Sequence, residues 1–429
     1  MARQKKLEPG APRSRTEPAA GLKGAVAVPR AWMLAIAALL VLPWLILAAA
    51  HLYGFPRTPP ASSAVAPSAT PSVGPWGRLV VTPIVIAPPT EYVSRNWGPV
   101  EPTLWHVPAT TPEEIRTLLS TSGLAGDDIA RLLSTARPHR RAGGSVLAPG
   151  PDLVRGLAPD VRDRLYLRFA NSELNVDQVT AYRFFGTSLA EWLDGLVSPS
   201  TRALVEPYIY RHGDFMYFAD IESVRTQIPD PAELQRLTKA LYRQATMLIS
   251  LQIDASADIA ALAEYWGRGG RRTDIRPLLE SVAESQSNRS IDVSHLLPSL
   301  AREYVYRYPR ITVADAEKPL LSNCLWTALN FFNPTPDDRF LDVQFALEHL
   351  KRDYFLVQDR LQLGDIVVFS ARDGTLVHVA VYIADDLVFG KNGTTPMAPW
   401  SILPIERIKG HYVESSEDWR VTYHRRNGL

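Results

Sequence analysis

In the last third of the chain two helix-spaced segments are followed by three strand-like ones, and that order limits the fold more than any other feature. One helical stretch opens at Cys324 and stops near Asn333-Pro334. A second carries Phe340, Val343, Leu347, Leu350 and Tyr354 along one face. Strand signals at about 365–371, 376–384 and 386–390 come next, joined by Asp373-Gly374 and Asp385-Asp386 turns. Helices first and an antiparallel sheet afterwards predict an α+β domain over residues 301–429.

Upstream the signals differ. Thirty-five prolines and 25 glycines exceed what one compact domain usually carries, and many fall between Phe55 and Pro112. Residues 51–110 therefore read as a Pro-rich tether. Within it, Leu79 to Ile86 could form a strand that Pro83 confines to a sheet edge. Residues 111–300 read as a mainly helical domain. Thr111-Pro112-Glu113-Glu114 is a capping box with proline at the first helical position. Asp230-Pro231 starts the clearest long helix, whose apolar residues run through Leu234, Leu237, Leu241, Ala245 and Leu248. Tyr208 to Tyr210 and Phe215 to Phe218 flank a Gly-containing turn, as in a hairpin.

Ala31 to Ala50 carries no charge and no strongly polar side chain. Twenty helical residues would span ~30 Å, the thickness of a bilayer's hydrocarbon core. The basic segment before it, residues 1–30, holds Arg3, Lys5, Lys6, Arg13, Arg15, Lys23 and Arg30 against Glu8 and Glu17. By the positive-inside rule, the expectation is a single-pass membrane anchor at 31–50 with the N-terminus cytoplasmic and the rest exported. The alternative is a signal peptide cleaved at Ala48-Ala49-Ala50. Lys+Arg number 46 against 45 Asp+Glu, so no global field points to nucleic acid. One cysteine excludes an internal disulfide, and the nine histidines lack ligand-like spacing, so a metal site is disfavoured.

The chemistry concentrates around Cys324. A thiol at a helix N-terminus is biased toward thiolate by the N–H dipoles aimed at it. A cysteine hydrolase also needs a base and a third group that fixes the imidazole tautomer. The base candidate is His378, which shares a strand face with Ala380 and Tyr382 while Val379, Val381 and Ile383 share the other. Small Ala380 would leave room for the catalytic helix. The third candidate is Asn392, whose amide oxygen could accept the imidazole N–H. Each has a plainer reading: a lone cysteine as a small buried hydrophobe, a strand histidine as a core residue, Asn392-Gly393 as a turn pair. Gly364-Asp365 could likewise be only a turn entering a strand.

Leu361-Gln362-Leu363-Gly364-Asp365-Ile366-Val367-Val368-Phe369, followed by His378-Val379-Ala380-Val381-Tyr382, resembles the NlpC-type cell-wall cysteine peptidases, which show an LxxGDLVxF strand and an HVGIY strand after the nucleophile. The resemblance covers residues 301–429. It implies a papain-like fold, Cys324 as nucleophile, His378 as base, a polar third residue, no cofactor, and hydrolysis of amide bonds in peptidoglycan stem peptides. Two departures stand out. Asn323-Cys324-Leu325-Trp326 replaces the usual Asp-Cys-Ser-Gly, and Gly390 stands where a second histidine is common. Tyr304, Tyr306 and Tyr308 include candidates for a tyrosine that helps the oxyanion site in relatives. The competing functions are a thioesterase or acyltransferase on the same fold, and a catalytically inactive module that binds wall fragments or a partner.

Overall fold

The computed structural model describes residues 72–93, 102–139, 143–185, 188–213, 215–285, 289–310, 322–412 and 419–429, all within one compact unit, Ala61–Leu429. The largest sheet has six strands. In spatial order they are Tyr354–Val357, Trp419–Arg426, Ile366–Ala371, Leu376–Ala384, Leu387–Lys391 and Trp400–Pro404, every neighbouring pair antiparallel. The three strands expected here are present. All three carry continuous buried runs instead of alternation, because both faces of the sheet are covered. On one face Val379, Val381, Phe389, Trp400 and Ile402 pack under the helix Cys324–Leu329. On the other, Val367, Phe369, Ala380, Tyr382 and Val388 pack under the helix Ile405–Tyr412 through Ile405 and Ile408.

The segment expected to be a tether contributes real structure. Gly77–Ile86 is a ten-residue strand between Ser72–Gly74 and Gln244–Gln252, with Ser290–Asp292 completing a four-stranded antiparallel sheet. The flanking strand Ser72–Gly74 reaches only as far as Leu79, so Pro83 lies on an open edge, as its missing N–H requires.

Over residues 111–300 helices outnumber strands, in line with the sequence reading, but the boundary near residue 300 is not where the cores divide. Trp105 to Leu241 form one core, which contains two three-stranded sheets as well as helices. Leu79, Met247 to Ala301 and Leu325 to Ile402 share another. The division falls at Tyr242, where the helix Pro231–Leu241 ends. Ala245 and Leu248 continue its helical spacing in sequence, yet they lie in the strand Gln244–Gln252. There Met247, Ile249 and Leu251 alternate into the core, and that burial outweighs the helical period. The capping box at Thr111 and the hairpin Tyr210–His212 with Phe215–Phe218 form as the sequence predicts.

The first core is organised around a buried ion. Arg162 is fully enclosed, donating to Asp220 at 2.6 Å and to the carbonyls of Val154 and Pro207, while Tyr166 donates to Asp220 at 2.6 Å.

The expected transmembrane helix at residues 31–50 lies outside the described residues, and no helix among the described residues is long and apolar enough to cross a membrane. The longest of them, Arg272–Glu284, has 13 residues and so spans about 20 Å. The expected fold class is therefore corrected at the anchor: the described residues form an α+β structure of short helices on antiparallel sheets, as the sequence predicts, but the transmembrane helix expected with it is not supported.

Besides sharing a core, the four-stranded sheet is tied to the six-stranded one by a threonine hydroxyl. Thr246 Oγ1 accepts from Ile402 N–H at 2.9 Å and donates to Ile402 O at 3.0 Å, all buried. Thr246→Val leaves two buried backbone groups without partners and is expected to cost about 2–4 kcal/mol. A lower urea midpoint at unchanged m-value is the expected result.

Candidate functional site

Asn323 builds the start of the cysteine helix. Its side chain accepts from Trp326 N–H at 2.9 Å, and its carbonyl takes the Thr327 N–H and hydroxyl, at 3.0 and 2.8 Å. The helix is then held at three points. Trp326 Nε1 donates to Asp338, Trp400 Nε1 donates to Thr327 Oγ1 at 2.9 Å, and the ring of Phe332 fills the space above Gly364.

Gly364 sits at φ 92°, and a Cβ there would fall 2.1 Å from the Phe332 ring. Asp365 is buried and grips Arg425 with both oxygens at 2.8 Å, while accepting Gln362 N–H. The Gly-Asp pair of the strand motif thus closes helix against sheet and ties the Trp419–Arg426 strand to its neighbour. Neither residue faces the thiol.

Cys324 packs against the core that contains Val379, Val381 and Trp400, and is the free thiol of the chain. The N–H groups of Val379 (the residue directly after His378), Leu325 and Cys324, and the Lys391 ammonium, all favour its thiolate form. Burial outweighs all of these and pushes the thiol above its ordinary value. The expected bias toward thiolate is therefore corrected. The helix has only six residues, so its dipole is small against the loss of water around the sulfur.

His378 reaches the same stretch of strand but projects the other way. It stands opposite Phe369 in the ladder, its ring 5.8 Å from the Phe369 ring, and its Nε2 lies 3.7 Å from where a Cβ on Gly390 would be. Phe369 and Ala380 belong to the face away from the cysteine helix. Burial drives the imidazole down to about 3. A base that weak is poorly matched to a thiol. The strand parity of His378 and Ala380 is as the sequence predicts, but the helix lies on the face of Val379 and Val381.

Asn392 follows Gly390 by two and shares its face. Its Nδ2 donates to Ser401 at 3.4 Å, and its Oδ1 is buried without a hydrogen bond, so the expected amide–imidazole bond is not formed. Of the three tyrosines, Tyr306 donates to Met247 O and Tyr308 to Tyr242 O. Tyr304 is the one at the cysteine helix, its ring 5.9 Å from Trp326 and 4.4 Å from Trp400.

The residue that sequence reasoning missed is Lys391. It is fully buried at the end of the strand Leu387–Lys391, paired across to Trp400, with Nζ donating to Gly393 O at 2.6 Å and Thr395 O at 3.1 Å. The ammonium lies 5.7 Å above the Trp400 ring. Burial lowers it to about 8, partly offset by Cys324. Its signal was available: a lysine inside Leu-Val-Phe-Gly-Lys, on the opposite face from Gly390 and Asn392. No cluster of metal-ligating side chains occurs among the described residues.

No protein-family model, curated protein or solved structure matches this chain.

The His378 geometry has a pH consequence. The unfolded chain takes up the imidazole proton near 6.5, whereas the fold resists it until about pH 3. The stabilisation linked to neutral His378 is complete above about pH 6.5 and is lost as pH falls toward 3. Between pH 7 and pH 4 the loss is about 3 kcal/mol. His378→Phe is expected to remove that component, as read by urea unfolding at both pH values. An equal acid loss in both proteins contradicts the assignment.

Proposed function

We propose that the chain is a cysteine-dependent hydrolase of amide or related acyl bonds, with Cys324 as nucleophile and cell-wall peptides as the substrate class that the NlpC resemblance implies. The observation that carries this reading is the position of the thiol. Cys324 heads a short helix laid on an antiparallel sheet, its sulfur against the strand that holds the His-Val-Ala-Val-Tyr motif.

In such a reaction the sulfur attacks the carbonyl carbon, forming a C–S bond as the carbonyl electrons move to oxygen. The amide nitrogen then leaves with a proton, and water cleaves the thioester to free the acid and the thiol. N–H groups near Cys324 are suited to the transient oxyanion. The proton acceptor must lie on the helix-bearing face of the sheet, which His378 does not reach in this conformation. A cell-wall substrate also entails action outside the cytoplasm.

A second reading is favoured by one observation. The His378 ring is enclosed against Phe369 and Gly390, which suits a scaffold that has lost hydrolysis and kept binding. Incubation with purified peptidoglycan separates the two. Wild type is expected to release new amino groups, and Cys324→Ala to lower the rate by at least ~10³-fold with an unchanged circular dichroism spectrum. Equal release from both proteins, or none from wild type, rejects the hydrolase.

A further inference from the structure

A lysine with no exposed surface normally sits beside a carboxylate, because an isolated ammonium in packed interior is expensive. Lys391 has no such neighbour. Among the described residues it makes no ion pair; its hydrogen bonds go to two carbonyl oxygens, and its remaining cover is the Trp400 ring. The group able to supply a countercharge is the sulfur of Cys324, on the same face of the sheet. Trp400 ties the two together structurally. Its ring lies under the ammonium, and its Nε1 holds Thr327, three residues along the helix from Cys324.

We propose that Lys391, and not His378, is the proton partner of Cys324, so that the two side chains exchange one proton and the sulfur becomes an anion only beside an ammonium. With the amine neutral, the S–H bond breaks and an N–H bond forms on Nζ, giving a thiolate–ammonium pair. In the hydrolase reading, on which the catalytic part rests, that ammonium returns the proton to the departing amine as the C–N bond breaks. The other titratable groups around the pair are Tyr304 on Trp326 and Trp400, Asp338 at Trp326 Nε1, and His378 across the sheet. Burial also raises Tyr304, so it stays protonated through the range in which the pair titrates.

The charge of the sulfur is measurable without substrate, from iodoacetamide alkylation of the single cysteine across pH and from the thiolate absorbance near 240 nm relative to Cys324→Ser. Wild type is expected to show a single inflection, above the ordinary thiol value because burial outweighs the ammonium. In Lys391→Met it moves up by more than one unit, and alkylation at pH 7.5 falls about tenfold or more. Lys391→Arg keeps the positive charge and so keeps fast alkylation, yet loses peptidoglycan hydrolysis, because arginine does not release its proton. His378→Phe leaves the alkylation profile in place.

The reciprocal measurement needs no change at position 391. Lys391 Nζ, followed by nitrogen NMR, titrates near pH 8 in wild type and at lower pH in Cys324→Ser. Superimposable Lys391 curves, or a folded Lys391→Met with the wild-type alkylation profile, overturn the proposal. So does a shifted profile in His378→Phe with none in Lys391→Met. Coupled titration without hydrolysis of any wall substrate leaves the Lys391–Cys324 pair standing and removes the hydrolase reading alone.

Discussion

The indole of Trp400 joins parts of the chain that are far apart in sequence. Its N–H holds Thr327 of the cysteine helix, its ring supports the Lys391 ammonium and meets Tyr304, and its backbone exchanges hydrogen bonds with Tyr306 and Arg307. The backbone bonds cover what would otherwise be the open side of the last strand in the six-stranded sheet. Thr246 completes that cover two residues further on. The helix therefore takes its position from one buried aromatic residue and from a strand edge that is paired along its length.

That arrangement decides the electrostatics of the thiol. Three N–H groups and an ammonium all favour the anion at Cys324, and burial still wins. In water-poor surroundings a charge is costly unless its partner is equally enclosed. Lys391 meets that condition, and its own depression reflects the same cost seen from the cation. His378 illustrates the opposite outcome. Enclosed by apolar neighbours on the other side of the sheet, it remains neutral through the whole physiological range.

Much of the C-terminal domain was legible because its signals are local. The Cys324 helix start, the strand with His378 and the turn at Asp385-Asp386 need only neighbouring residues to specify them. Strand parity correctly separated His378 and Ala380 from Val379 and Val381. Which face the helix would choose was not legible, since both faces of that strand are apolar and periodicity carries no label for the partner. The same ambiguity hid the Gln244–Gln252 strand, where Leu241, Ala245 and Leu248 fit a helix and Met247, Ile249 and Leu251 fit a strand equally well. Lys391 escaped notice because a lysine in sequence reads as surface, which outweighed the hint of its place at the end of an apolar strand.

The close approach of Phe332 to Gly364 changes what the Leu-x-x-Gly-Asp signature can be taken to mean. The aromatic ring just beyond the cysteine helix occupies the volume that any larger residue at 364 would claim, so the glycine records how near two elements lie. Its companion aspartate records a strand order, through Arg425. A chain can therefore keep the whole signature for as long as it keeps this architecture, whether or not its sulfur still turns over a substrate.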